Sequence, residues 1–153
     1  MKLVDVLVPD ACVIDMTART KKEALGELAS GLERAVPGLS AKQLQDLLLD
    51  RERLGSTAMG DGIAIPHARV GELDRLVMSF GRSPAGLEFE SLDGQPTHLF
   101  FLLVAPKKEG SEHLLTLARL SRVLSADGFL DRLRAITEVE DLTRALEEQE
   151  SKL

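Results

Sequence analysis

Seven consecutive apolar residues, LFFLLVA at 99–105, leave this chain few ways to fold. A membrane-crossing helix needs about 20 such residues, so the run is far too short to span a bilayer. Its length is that of a strand in the interior of a sheet, placed here over Leu99–Val104. Further strands read at Cys12–Met16, Ile63–Ile65 and Leu76–Phe80, with a short excursion at LEFES (87–91) before the turn residues Asp93 and Gly94.

Helical signals lie between and beyond these strands. Thr20 and Glu23 form a capping box ahead of a stripe of Ala24, Leu25, Leu28, Leu32 and Val36, which Pro37-Gly38 ends. Ser40 caps a second helix running through Leu54, closed by Gly55. Ser111 opens a third, to about Leu124, and two shorter helices follow, the last introduced by Thr137 with Glu140. Helices interleaved with four or five strands predict an α/β fold: a mixed sheet sandwiched between helices on both faces. Strand order is not legible in this pattern. One domain is expected over residues 1–148, with a C-terminal tail fraying from 149 to 153.

The composition excludes several function classes. The 153 residues carry a net charge of −6 and no Lys/Arg block, so no basic stripe is present for nucleic acid. With no Trp or Tyr, the chain has no stacking platform for bases, and the same doubt extends to sugar rings. The N-terminus MKLVDVLVPD has acidic residues and no signal-peptide pattern, and no membrane span is found, which predicts a cytoplasmic protein without membrane insertion. The single cysteine, Cys12, sits in an apolar run and reads as a buried, inert thiol.

Three polar residues stand where structure alone does not call for them. In GDGIAIPHAR, Gly60 and Gly62 permit tight backbone turns, Ile65 is pushed extended by the following proline, and Pro66 suits a strand end. Together they fix the backbone where His67 emerges; the plainer reading is a satisfied structural histidine. Arg51 lies on the leucine stripe of the second helix with Leu44, Leu47, Leu48 and Leu54, where a guanidinium needs an anion or must snorkel past the leucines to water. His113 falls in the first turn of the third helix, on the face of Leu117, Leu120 and Leu124, either as a donor to an anion or as a packing residue. His98 receives no role. Two histidines, an arginine and a helix N-terminus suit phosphoryl transfer, in which an imidazole is the nucleophile and cations hold the equatorial oxygens. No Walker A loop is present, so another protein is a better phosphate donor than a nucleotide. The rival is a metal site with Asp61 as third ligand, which Arg51 would oppose.

The same residues carry a family resemblance. RERLGSTAMGDGIAIPHAR (51–69) resembles the active-site signature of the mannitol/fructose-class IIA domains of the bacterial phosphoenolpyruvate-dependent phosphotransferase system, nearest the stand-alone nitrogen-regulatory members. GRSPAGLEFESLDGQP (81–96), LFFLLVAP (99–106), EHLLTLARLSRVL (112–124) and RLRAI extend it over nearly the whole chain. The resemblance implies a cofactor-free phosphoryl carrier in which His67 is phosphorylated, His113 stabilises the phosphate, Arg51 is the active-site arginine and Thr57 hydrogen-bonds phosphate oxygens. It implies an HPr-like donor protein. The acceptor would be a regulatory target protein or, in a sugar relay, a separate IIB protein. Asp61 and Ala68 stand where nitrogen-regulatory members often carry Asn and Gly, and Ala68 leaves the branch open.

Overall fold

A computed structural model describes residues 2–71, 73–108 and 110–153. The apolar run is the spine of the molecule: Thr97–Pro106 forms a ten-residue strand with neighbours on both edges. In chain order the helices are α1 (Leu3–Val6), α2 (Lys21–Ala35), α3 (Ala41–Glu52), α4 (Glu112–Leu124), α5 (Phe129–Arg134) and α6 (Val139–Glu150). The strands are β1 (Ala58–Gly60), β2 (Ile63–Ala64), β3 (His67–Val70), β4 (Val77–Leu87) and β5 (Thr97–Pro106). Antiparallel β4 takes one edge of β5; parallel β2 and β3 follow one another along the other edge, and β1 folds back antiparallel on β2. The sheet is therefore mixed, as expected.

Side chains of β5 alternate between two cores, as a strand's period of two requires. Leu99, Phe101, Leu103 and Ala105 face α1, α4, α5 and α6, while Phe100, Leu102 and Val104 face α2 and α3. One buried aromatic pair anchors each side: Phe80 against Phe101 at 5.0 Å between ring centres, and Phe89 against Phe100 at 5.2 Å. Burial of this kind, rather than helix propensity, holds the two helical layers onto the sheet. Among the described residues no helix is long and apolar enough to cross a membrane.

Several local expectations are corrected. Cys12–Met16 is not a strand: Pro9–Ala11 makes a 3-10 turn, and the segment's backbone pairs with β4 through an isolated bridge at Val13 and the Met16 N–H. A bend at Ile14 and Asp15, where Asp15 meets the Arg82 guanidinium at 3.2 Å, interrupts the ladder. Burial pushes the Cys12 thiol up to about 11, in keeping with an inert group. LEFES is not a strand beyond Leu87, because Glu90 takes a φ of 56° that no strand accommodates. Helix α3 stops at Glu52, leaving Leu54 84% exposed instead of on the core stripe. Thr20 does cap α2 by accepting from the Glu23 N–H, but the Glu23 carboxylate reaches back to Arg19 rather than to the cap residue. Glu138, not Thr137, precedes α6, and Glu140 and Asp141 in its first turn meet the helix dipole instead. The C-terminal segment is helical through Glu150, whose buried carboxylate accepts from the Leu3 N–H and from Arg119.

Helix α2 passes so close to the 3-10 turn that a β-carbon on Gly31 would lie 2.3 Å from the Ala11 carbonyl oxygen. Gly26, on the same helix, would meet only the end of the Gln45 side chain. Gly31→Ala therefore lowers stability in urea unfolding by about 1–3 kcal/mol despite its better helix propensity, because backbone must move. Gly26→Ala shifts it by less than about 1 kcal/mol.

Candidate functional site

The edge occupied by β2 and β3 is broken once, at Ile65-Pro66. Proline has no N–H for the ladder, yet its own carbonyl accepts from Leu103 at 3.0 Å, so the register on β5 survives the interruption. His67 is the first residue past the break. Its Nδ1–H donates to the Ile65 carbonyl at 3.0 Å, which leaves the lone pair on Nε2. Arg51, from the last turn of α3, directs its Nε–H to that nitrogen at 3.3 Å and anchors its Nη1 on the Gly55 carbonyl at 2.9 Å.

Around this ring, β3, the end of α3 and the first turn of α4 enclose a pocket of about 380 Å³. Arg51, His67, Arg69 and His113 line it, with Leu47 and Leu54 on its rim. Three of the four residues singled out in the sequence are therefore brought together. The fourth, Thr57, is buried and does not line the pocket, and its hydroxyl donates to the Glu52 carboxylate. His98 lies in a separate cleft of about 650 Å³, which also holds Asp61 and several exposed carboxylates. The metal reading thus loses its third ligand to the other cleft. Among the described residues no group of three or more His, Cys, Asp or Glu side chains is placed to share an ion.

Two participants went unseen in the sequence. Arg69 follows His67 by two residues on β3 and so shares its face; that spacing was a usable signal. Its Nη2 lies 2.8 Å from His113 Nδ1 and 3.4 Å from Nε2, within hydrogen-bond reach of the ring. Glu52 sits directly beside Arg51 in sequence but points inward, and nothing in the local pattern announces it.

Electrostatics keep the His67 imidazole neutral. Burial pushes its pKa below the ordinary 6.5, and the nearby Arg51 and His113 add to that, while the Ile65 carbonyl and Glu52 pull the other way. A neutral, tautomerically fixed imidazole with a cation at its lone pair has the chemistry of a nucleophile toward an anionic phosphoryl group.

Comparison with known proteins assigns the family. The family described as "Phosphoenolpyruvate-dependent sugar phosphotransferase system, EIIA 2" matches residues 5–149. The chain belongs to this family. As an EIIA protein it is a phosphotransferase component, a carrier of phosphoryl groups. It is 39% identical over 135 residues to a nitrogen regulatory protein of Bradyrhizobium diazoefficiens, covering 88% of each chain. It is 35% identical over 124 residues to the fructose-specific EIIABC component of Bacillus subtilis, covering 81% of this chain but only 20% of that longer protein. The crystal structure of the nitrogen regulatory protein IIA-Ntr from Neisseria meningitidis superposes with a TM-score of 0.87 at 31% identity, over 94% of this chain and 97% of that one. The EIIA sandwich expected from the sequence is thus the fold found.

The direction of the His67 shift is measurable. In an NMR titration of the ring, the midpoint falls below 6.5, and it moves upward in Arg51→Ala, since removing the cation and opening the pocket both favour the imidazolium. A midpoint unchanged by that substitution contradicts the proximity of the guanidinium.

Proposed function

We propose that this EIIA protein takes its phosphoryl group on Nε2 of His67, from an HPr-like phosphocarrier, and works as a cytoplasmic nitrogen/metabolic regulator through phosphorylation-dependent protein binding. The observation that supports the acceptor most directly is the bond from His67 Nδ1–H to the Ile65 carbonyl, which leaves Nε2 as the nitrogen turned toward Arg51. In the transfer, the Nε2–P bond forms as the donor's own N–P bond breaks, and the donor imidazole leaves with its electron pair. Arg51 needs only to exchange a nitrogen for a phosphoryl oxygen, because its Nη1 stays on the Gly55 carbonyl. His113, across the same pocket, supplies a second donor to the equatorial oxygens. Thr57, committed to Glu52, supports the loop behind the site and contributes its hydroxyl to phosphate only if that bond is exchanged.

Phosphorylation adds about two negative charges to a pocket lined by two arginines, which offsets their positive charge and changes the surface a partner meets. The likeness to nitrogen regulatory proteins supports a regulatory target as that partner. The likeness to the fructose-specific component supports a second reading, in which a separate IIB protein receives the phosphate.

Incubation with phosphoenolpyruvate, enzyme I and HPr, followed by mass mapping, places one acid-labile phosphate on His67. His67→Ala stays folded and takes none; full labelling of that variant at another residue overturns the assignment. His113→Ala still accepts phosphate but passes it on about a hundredfold more slowly. Unchanged onward transfer removes His113 from the reaction.

A further inference from the structure

We propose that Glu52 is a positioning residue for His67, holding the imidazole in its Nδ1–H form through the backbone of Thr57 and Ile65. The inference deepens the reading of His67 as acceptor and rests on it for its consequence, though not for its geometry.

Glu52 ends α3 and is only 8% exposed, an environment in which a carboxylate survives only with full hydrogen bonding and a counter-charge. Lys21, at the start of α2, supplies the charge at 2.8 Å, with its ammonium 4.8 Å from the centre of the Phe89 ring. The remaining lone pairs serve Thr57: Glu52 accepts the Thr57 N–H at 3.2 Å and the Thr57 hydroxyl. The Thr57 peptide is thereby fixed against the end of α3. Its carbonyl accepts the Ile65 N–H at 3.1 Å, and the Ile65 carbonyl accepts His67 Nδ1–H at 3.0 Å.

This line of contacts does something that general stabilisation does not. Ile65 precedes Pro66, so its carbonyl is confined to an extended range, and the Thr57 bond selects one orientation within that range. A ring nitrogen is protonated or bare according to the bond its partner nitrogen makes. If Thr57 drifts, the Ile65 carbonyl swings off Nδ1, and the proton can move to Nε2, the atom that has to attack phosphorus. The buried acid therefore acts at the nucleophile from the far side of a strand without touching it. Arg51 and Glu52, neighbours on one helical turn, hold opposite nitrogens of the same ring, one directly and one through backbone.

The test is a long-range 1H–15N correlation spectrum of the His67 ring at about pH 8, where the imidazole is neutral, in wild type, Glu52→Gln and Glu52→Asp. Wild type shows Nδ1 protonated and Nε2 bare. In Glu52→Gln the charge that holds Lys21 is lost, and the Thr57 hydroxyl meets an amide NH2 or gives up its partner. In Glu52→Asp the shortened carboxylate keeps its charge but falls short of Thr57. Both shift the ring toward the Nε2–H form, and the maximal rate of phosphate uptake from phosphorylated HPr drops about 10- to 100-fold with donor KM little changed. A wild-type ring already protonated on Nε2 overturns the proposal. So does a Glu52→Asp ring that keeps the wild-type pattern, and that result decides the matter even where Glu52→Gln fails to fold. Phosphate mapped to another residue in wild type, with the tautomer shift intact, would instead count against His67 as acceptor.

Discussion

The hydrogen bond from His67 Nδ1 to the Ile65 carbonyl decides which ring nitrogen keeps its lone pair and faces Arg51. It spans only two residues, yet it depends on the whole sheet. Pro66 interrupts the edge strand so that the ring can turn back on its own chain, while the Pro66 carbonyl and the residues on either side remain in register with β5. A strand without the break would carry the imidazole past the carbonyl; a loop without the register would leave the carbonyl unaimed. The interior strand supplies rigidity to a group at the rim, as functional side chains placed on regular elements require.

The charge pattern is local and runs against the protein's overall balance. A chain of net charge −6 places two guanidiniums on the two imidazoles of one pocket, and each donates to a ring nitrogen. Behind them, the buried Glu52 carboxylate is neutralised by Lys21. At rest the histidines stand in for the oxygens of an anion. For the phosphoryl transfer proposed above, the donors are already converged, and little reorganisation is required.

Legibility varied with how local the cause was. The capped, striped helices α2, α3 and α4 were readable because periodicity is a nearest-turn property, and β5 was readable because seven apolar residues have one sensible destination. The segment Cys12–Met16 looked like a strand from composition, but pairing is a property of two segments, and the bend at Asp15 answers to Arg82, 67 residues away. Leu54 matched the leucine stripe and still ended exposed, since the helix stopped two residues earlier, where Glu52 turned in to Lys21 and Thr57.

The sequence alone determined that an imidazole would be displayed after a proline-broken strand, that Arg51 and His113 were oddly placed cations and donors, and that helices would cover a mixed sheet. Those are statements about backbone preference and burial, which short stretches of chain carry within themselves. Tertiary structure alone decided which ring nitrogen keeps its lone pair, that Arg69 holds His113, that Thr57 serves Glu52, and that Asp61 belongs to another cleft. Each of these depends on directed bonds of about 3 Å between groups whose relative positions no run of residues specifies until the sheet has closed.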